Sequence, residues 1–137
     1  MSSNMEANKE LVRSHLASFS TGDLDAAADN YAEDYRSDSG RSAHELKESV
    51  WRPFFESFPD LTIEIKRIVS EGDWVLVDCV HTATHEGEFK GIAPTGNAVE
   101  YRSSASYRIE DGNIVESYSV SNKLSILRQL GVEIPAD

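Results

Sequence analysis

Apolar positions recur at helical spacing as far as Phe58 and at every second residue beyond it, and this change of period predicts the architecture. Over 6–20, Leu11, Val12, Leu16 and Phe19 share one side of an amphipathic helix. Thr21-Gly22-Asp23 stops it and caps a second, short helix over 24–32, because glycine tolerates a left-handed backbone and an aspartate accepts orphan amide hydrogens. Ser42 with Glu45 forms a capping box that opens a third helix. Leu46, Val50, Trp51, Phe54, Phe55 and Phe58 supply its apolar side. Pro53 lies inside that pattern and removes a helical hydrogen bond, so a kink or break is expected near Arg52.

The strands follow. Leu61, Ile63 and Ile65 alternate with Thr62, Glu64 and Lys66 in a strand over 61–70, and Glu71-Gly72-Asp73 is a hairpin turn. Further strands are expected over 74–85, 97–110 and 114–121, with a tight turn at Asp111-Gly112-Asn113, and a closing helix over 124–130 ends at Gly131. Helices first and a four-strand antiparallel meander second predict an α+β fold, the helices packed on one face of a curved sheet. A strongly bent sheet under helices leaves a cone-shaped cavity between the layers.

Composition narrows the function. A chain of 137 residues with 39% hydrophobic residues is read as one domain spanning 1–137, with a real core. A net charge of −11 argues against nucleic acid, whose phosphates demand a basic face. No apolar run approaches the ~20 residues of a membrane span. The N-terminal residues lack the pattern of a secretory signal, and the lone Cys79 excludes an internal disulfide, so a cytoplasmic protein is expected.

Candidate chemistry gathers around Thr84–Gly96, where a strand reaching His85 gives way to a connection with three glycines and a proline. Such a loop suits the mouth of a pocket. His85 is read either as a general acid, base or oxyanion donor, or as a structural residue pinning the loop. His81 lies on the same strand face, about 13 Å away; no third ligand accompanies the two, so no metal is expected. Tyr118 and Asn122 are expected to share a pocket-wall face with Ile114, Glu116 and Val120, Tyr118 being alternatively a core aromatic. Arg108 either orients a substrate carbonyl or pairs with Glu116 across the neighbouring strand. Asp78 interrupts an apolar strand and is read either as exposed or at a subunit contact, or, if buried, as a base candidate with a raised pKa; Cys79 reads as a small buried hydrophobe.

The ordered set Phe58-Pro59-Asp60-Leu61, Glu71-Gly72-Asp73, Thr84–Gly96, Tyr107–Glu116 and Gln129-Leu130-Gly131 resembles the SnoaL-like polyketide (ester) cyclase family of the nuclear transport factor 2-like superfamily. The resemblance implies a cone-shaped α+β barrel and a cofactor-free enzyme that binds a small hydrophobic polyketide- or terpenoid-like intermediate. It also implies a homodimer or larger homo-oligomer. In the family's aldol cyclases a carboxylate near the end of the last strand removes a proton next to a carbonyl. Its place here falls on Asn122, and asparagine takes up no proton. The resemblance therefore implies a catalytic group of His85, Asn122, Tyr118 and Asp38, with Tyr35, Trp51, Phe55, Arg108 and Glu116 binding substrate. Three activities remain open: a cyclase or isomerase working by proton transfer or epoxide opening, a cofactor-independent hydroxylase, and a non-catalytic binder.

Overall fold

The computed structural model describes residues 2–133, and its elements follow the predicted order. Helix α1 spans Ser2–Ser20 and α2 spans Leu24–Asp29, the latter capped by the Asp23 carboxylate on the Ala26 amide. Helix α3, Ala43–Leu46, opens with the complete Ser42/Glu45 capping box. It then widens into a π-turn over Lys47–Trp51, in which the Arg52 amide reaches back to the Lys47 carbonyl, before α4 resumes over Arg52–Ser57. Pro53, lacking an N–H, sits in the first turn of α4, where no donor is needed. The expected break is thus a local widening that ends just before the proline. The buried Lys47 at its start is held by Asp25 at 2.6 Å.

Strands β1 (Thr62–Glu71), β2 (Trp74–Thr84), β3 (Ala98–Glu110) and β4 (Asn113–Ser121) form one antiparallel sheet in sequence order, and α5 (Lys123–Gln129) closes the chain. The sheet is curled and unclosed, giving the α+β cone. Asp111 and Gly112 both take positive φ, the backbone that a two-residue hairpin turn matching strand twist requires. Two irregularities bend the sheet: one between Ile65 and Arg67 in β1, the other where Arg108 pairs with Glu116 but Ile109 pairs with Ile114, leaving Val115 as an extra residue in β4.

The helices cover the inner face of the sheet, and the core they make is divided in two. Val12 and Leu16 of α1 pack with Val75, Val77, Cys79, Tyr107, Ile109 and Ile114. At the other end, Phe58, Leu61, Ala83, Phe89, Val99, Tyr101, Ile126 and Leu130 form a second cluster beneath α4 and α5. Among the described residues no helix is long and apolar enough to cross a membrane.

A clasp fastens α4 to the loop after β2. The Glu86 and Gly87 amides donate to the Ser57 carbonyl, and the Ser57 hydroxyl donates to the Glu88 carbonyl at 2.5 Å. Gly87 is required there, because a Cβ would overlap the Glu56 carbonyl. Gly87→Ala should therefore cost about 1–3 kcal/mol, the range of overpacked sites, and lower Tm by several degrees. Glu86→Ala, at an exposed position of the same loop, should shift it little; equal Tm values for the two variants would refute the clasp.

Candidate functional site

Between the two core clusters the inner face carries polar groups under an aromatic wall. Strand parity places Val77, Cys79, His81 and Ala83 of β2 on this face, with Tyr101, Ser103, Ala105 and Tyr107 of β3 beside them. From β4, Ser117 lies opposite Tyr107, Ser119 opposite Ala105 and Ser121 opposite Ser103. No aspartate or glutamate occupies an inner-face position of the four strands. The wall comes from α1, the π-turn and α4: Phe19 meets Trp51 edge-on at 5.0 Å and Phe55 at 6.5 Å, and Phe54 lies 6.4 Å from the Tyr101 ring. Trp51, Phe54, Phe55, His81, Ser103 and Ser117 are all only partly buried, so this part of the interior is not sealed.

Two hydroxyl–imidazole groups furnish the polar floor. His15 of α1 is 1% exposed. Its Nδ1 faces the Asn30 amide nitrogen at 3.0 Å and its Nε2 the Tyr31 hydroxyl at 3.2 Å. With the Asn30 amide so placed, Nδ1 is the acceptor and the proton resides on Nε2. The Tyr31 ring packs on that of Tyr35 at 4.7 Å, and the Tyr35 hydroxyl bonds the Ser117 hydroxyl at 2.9 Å. On β2, His81 Nε2 lies 2.6 Å from the Ser103 hydroxyl, and the ring stacks on Tyr101 at 4.6 Å. Its Nδ1 is buried with no partner. Burial pushes both histidines down to about 4, so each is neutral near pH 7. Burial likewise raises the phenols of Tyr31, Tyr101 and Tyr107, which stay protonated.

His85 is wholly buried, at 0% exposure, and works as a latch for the loop. Its backbone N–H donates to the Asn97 carbonyl, and its own carbonyl accepts from the Gly96 amide. The Thr95 amide donates to Nδ1 at 3.1 Å, which leaves the proton on Nε2, beside the Phe58 ring and without a partner.

The other residues expected in a site divide by face. Tyr35, Trp51 and Phe55 belong to the inner side just described. Tyr118, Arg108 and Glu116 do not: the extra Val115 reverses the parity of β4, so Ile114 points inward and Glu116, Tyr118 and Val120 point outward. The expectation that Tyr118 and Ile114 share one face is corrected by this bulge. Tyr118 is 47% exposed, stacks on Trp74, and donates to Glu116 at 2.8 Å. Glu116 pairs with Arg108 at 2.5 Å; the Tyr118 hydroxyl and the Arg108 guanidinium hold its carboxyl below the usual range. Asp38 is exposed and flanks a groove of about 470 Å³ on the outer face, with Leu76, Asp78, Ser104, Tyr118 and Val120. Asp78 is held there by the Ser104 hydroxyl. Asn122 is exposed at the end of β4, its Oδ1 capping α5 on the Ser125 amide. Cys79 is buried, its thiol pushed up to about 11 by burial and by Asp78.

The buried His15 network and the pairing of His81 with Ser103 were not read from the sequence. The signal for His15 was its place between Val12 and Leu16 on the buried stripe of α1; for His81 it was strand parity with Val77, Cys79 and Ala83.

A helix-covered, curled antiparallel sheet whose inner face is lined with aromatic, hydroxyl and imidazole groups defines an α+β cone. Within that class, residues 9–130 match the model of the SnoaL-like polyketide cyclase, and the chain belongs to this family. Two solved structures from Streptomyces share about a third of its sequence. AclR from Streptomyces galilaeus, assigned provisionally as a hydroxylase, is 32% identical with a TM-score of 0.84, over 93% of this chain and 97% of its own. IdmH from Streptomyces antibioticus, assigned provisionally as a polyketide cyclase, is 30% identical with a TM-score of 0.79, over 91% and 99%. TsrD from Streptomyces laurentii, at 22% identity and a TM-score of 0.82 over 92% and 96%, shares the fold. No curated protein sequence matches the chain.

The two neutral histidines make stability depend on pH. Their folded values near 4 lie below the ~6.5 of an unfolded histidine, so the unfolded chain binds more protons between those limits. Their contribution is complete above about pH 6.5 and is lost as pH falls toward 4. From pH 6.5 to 5, where carboxylates stay largely ionised, each histidine accounts for up to about 2 kcal/mol. Urea unfolding at the two pH values should show this fall, and His15→Asn should reduce it. An unchanged slope in that variant would exclude His15 as its source.

Proposed function

We propose that this protein is a cofactor-independent enzyme of the cyclase or isomerase type, which moves a proton on a small hydrophobic polyketide- or terpenoid-like intermediate. The observation that carries the reading is the unsealed region between the two core clusters, where an aromatic wall faces imidazole and hydroxyl groups without any strand carboxylate. Apolar rings there would bury the body of a flat substrate, and neutral phenol and serine hydroxyls would donate to its carbonyl oxygens as negative charge develops. With Asn122 engaged as a helix cap and no acid on the inner strand faces, the family's aldol route in its usual form has no carboxylate base among these residues. Proton transfer then falls to other groups. A second reading, hydroxylation of an electron-rich substrate, is favoured by the 32% identity with AclR. The two readings differ in product mass: isomerisation or ring closure leaves it unchanged, whereas hydroxylation adds one oxygen atom traceable with labelled dioxygen.

The tryptophans allow a direct test of where ligand binds. Trp51 belongs to the inner wall, whereas Trp74 stacks on Tyr118 outside. Titration with 1,3-dihydroxynaphthalene, a soluble enol-bearing aromatic, should shift the Trp51 indole N–H resonance saturably and leave that of Trp74 in place. Trp74→Phe assigns the two signals. A shift of Trp74 alone, or of neither, would overturn the reading.

A further inference from the structure

The inner face holds one basic group that neither the latch of the loop nor the His15 network uses. We infer that His81 is the residue that takes up and returns the substrate proton, with Ser103 as the positioning residue that holds its ring. The inference rests on the proposed function above and names the acid–base group within it.

The ring is fixed on two sides: Tyr101 stacks on its face at 4.6 Å, and the Ser103 hydroxyl meets Nε2 at 2.6 Å. Nδ1 is left buried and unpartnered. Of the two neutral forms, the one protonated on Nδ1 would strand a buried donor, whereas the one protonated on Nε2 donates to Ser103 and strands only a lone pair. Unpaired acceptors are tolerated better than unpaired donors. The free lone pair therefore belongs to Nδ1. A buried polar atom without a partner calls for an explanation, and a carbon acid entering the unsealed region supplies one. His81 as a whole is only partly buried, but Nδ1 itself is covered, so a substrate reaches it by displacing side chains packed over it.

The surroundings keep the ring available as a base. Ile63 of β1 is its cross-strand neighbour, Tyr101 and Ser103 of β3 lie over and beside it, and Cys79 and Ala83 precede and follow it on the inner face of β2. From α4 comes Phe54, against the Tyr101 ring. No carboxylate or cationic side chain is among these neighbours, and burial keeps the imidazole unprotonated at neutral pH. In the step itself, a C–H bond next to a carbonyl breaks, its proton goes to Nδ1, and its electron pair moves into the carbonyl to form an enolate. The imidazolium so formed then returns the proton to another carbon, and no oxidant or reductant is consumed. General base catalysis of this kind contributes about 10²–10⁴-fold.

The test uses 5-nitrobenzisoxazole: a base removes the C3–H proton of its isoxazole ring, the C–H electrons form the nitrile and the N–O bond breaks, giving a coloured cyanonitrophenolate. The wild-type protein should accelerate this opening saturably, with competition by 1,3-dihydroxynaphthalene. His81→Ala should lower kcat/KM by about a hundredfold while the naphthalenediol still shifts Trp51. Added imidazole should restore turnover, a response that a purely structural role would not give. His81→Asn serves if the alanine variant does not fold, and His44→Gln, at an exposed histidine of α3, should behave as wild type. Wild-type turnover in the His81 variants, loss without imidazole rescue, or absence of turnover in a protein that binds the naphthalenediol would overturn the assignment and leave the binding reading standing. Absence of binding at Trp51 would overturn both.

Discussion

The clasp between Ser57 and the Glu86–Glu88 segment fixes where α4 sits over the inner face. Three hydrogen bonds join the end of α4 to the loop after β2, and they form only because the backbones approach where Gly87 has no side chain. This contact sets the height of α4 above the sheet and, through it, the places of Phe54, Phe55 and Phe58. His85 anchors the far end of the same loop through Thr95, Gly96 and Asn97. The histidine that stands out in the sequence thus shapes the site by holding its rim.

The interior combines two kinds of packing. Aliphatic and aromatic residues fill the two clusters in the ordinary way. The histidines, tyrosines and serines between and beside them require either mutual hydrogen bonds or a ligand, since an unpaired buried polar group costs about 1–3 kcal/mol. His15, Asn30 and Tyr31 satisfy one another, as do Tyr35 and Ser117. His81 is satisfied on one nitrogen only. Charged pairs such as Arg108–Glu116 lie outside this floor of neutral donors and acceptors.

Most of the fold was legible in the sequence because it depends on signals that act over a few residues. The Ser42/Glu45 box, the Asp23 cap and the Asp-Gly turn each appear where their side chains require them. The candidate site was less legible, because it depends on which face of a strand a residue occupies. A single extra residue, Val115, turned Glu116 and Tyr118 outward while Ile114 stayed in the core, and no residue type announces such a bulge. His15 was hidden for a related reason. A polar residue on a buried helical stripe is ambiguous until its partners, here fifteen and sixteen residues away in Asn30 and Tyr31, are brought beside it.

The π-turn at Lys47–Trp51 has a consequence of another kind. One turn of wider winding absorbs one more residue than an α-helical turn would, and each residue of an α-helix rotates the chain by about 100°. The segment therefore acts as a phase adjuster between Ala43, which faces the body of the protein, and the phenylalanines of α4, which face the sheet. Relatives that gain or lose a residue here would turn the aromatic wall as a unit, changing the outline of the interior without a single substitution among the groups that line it.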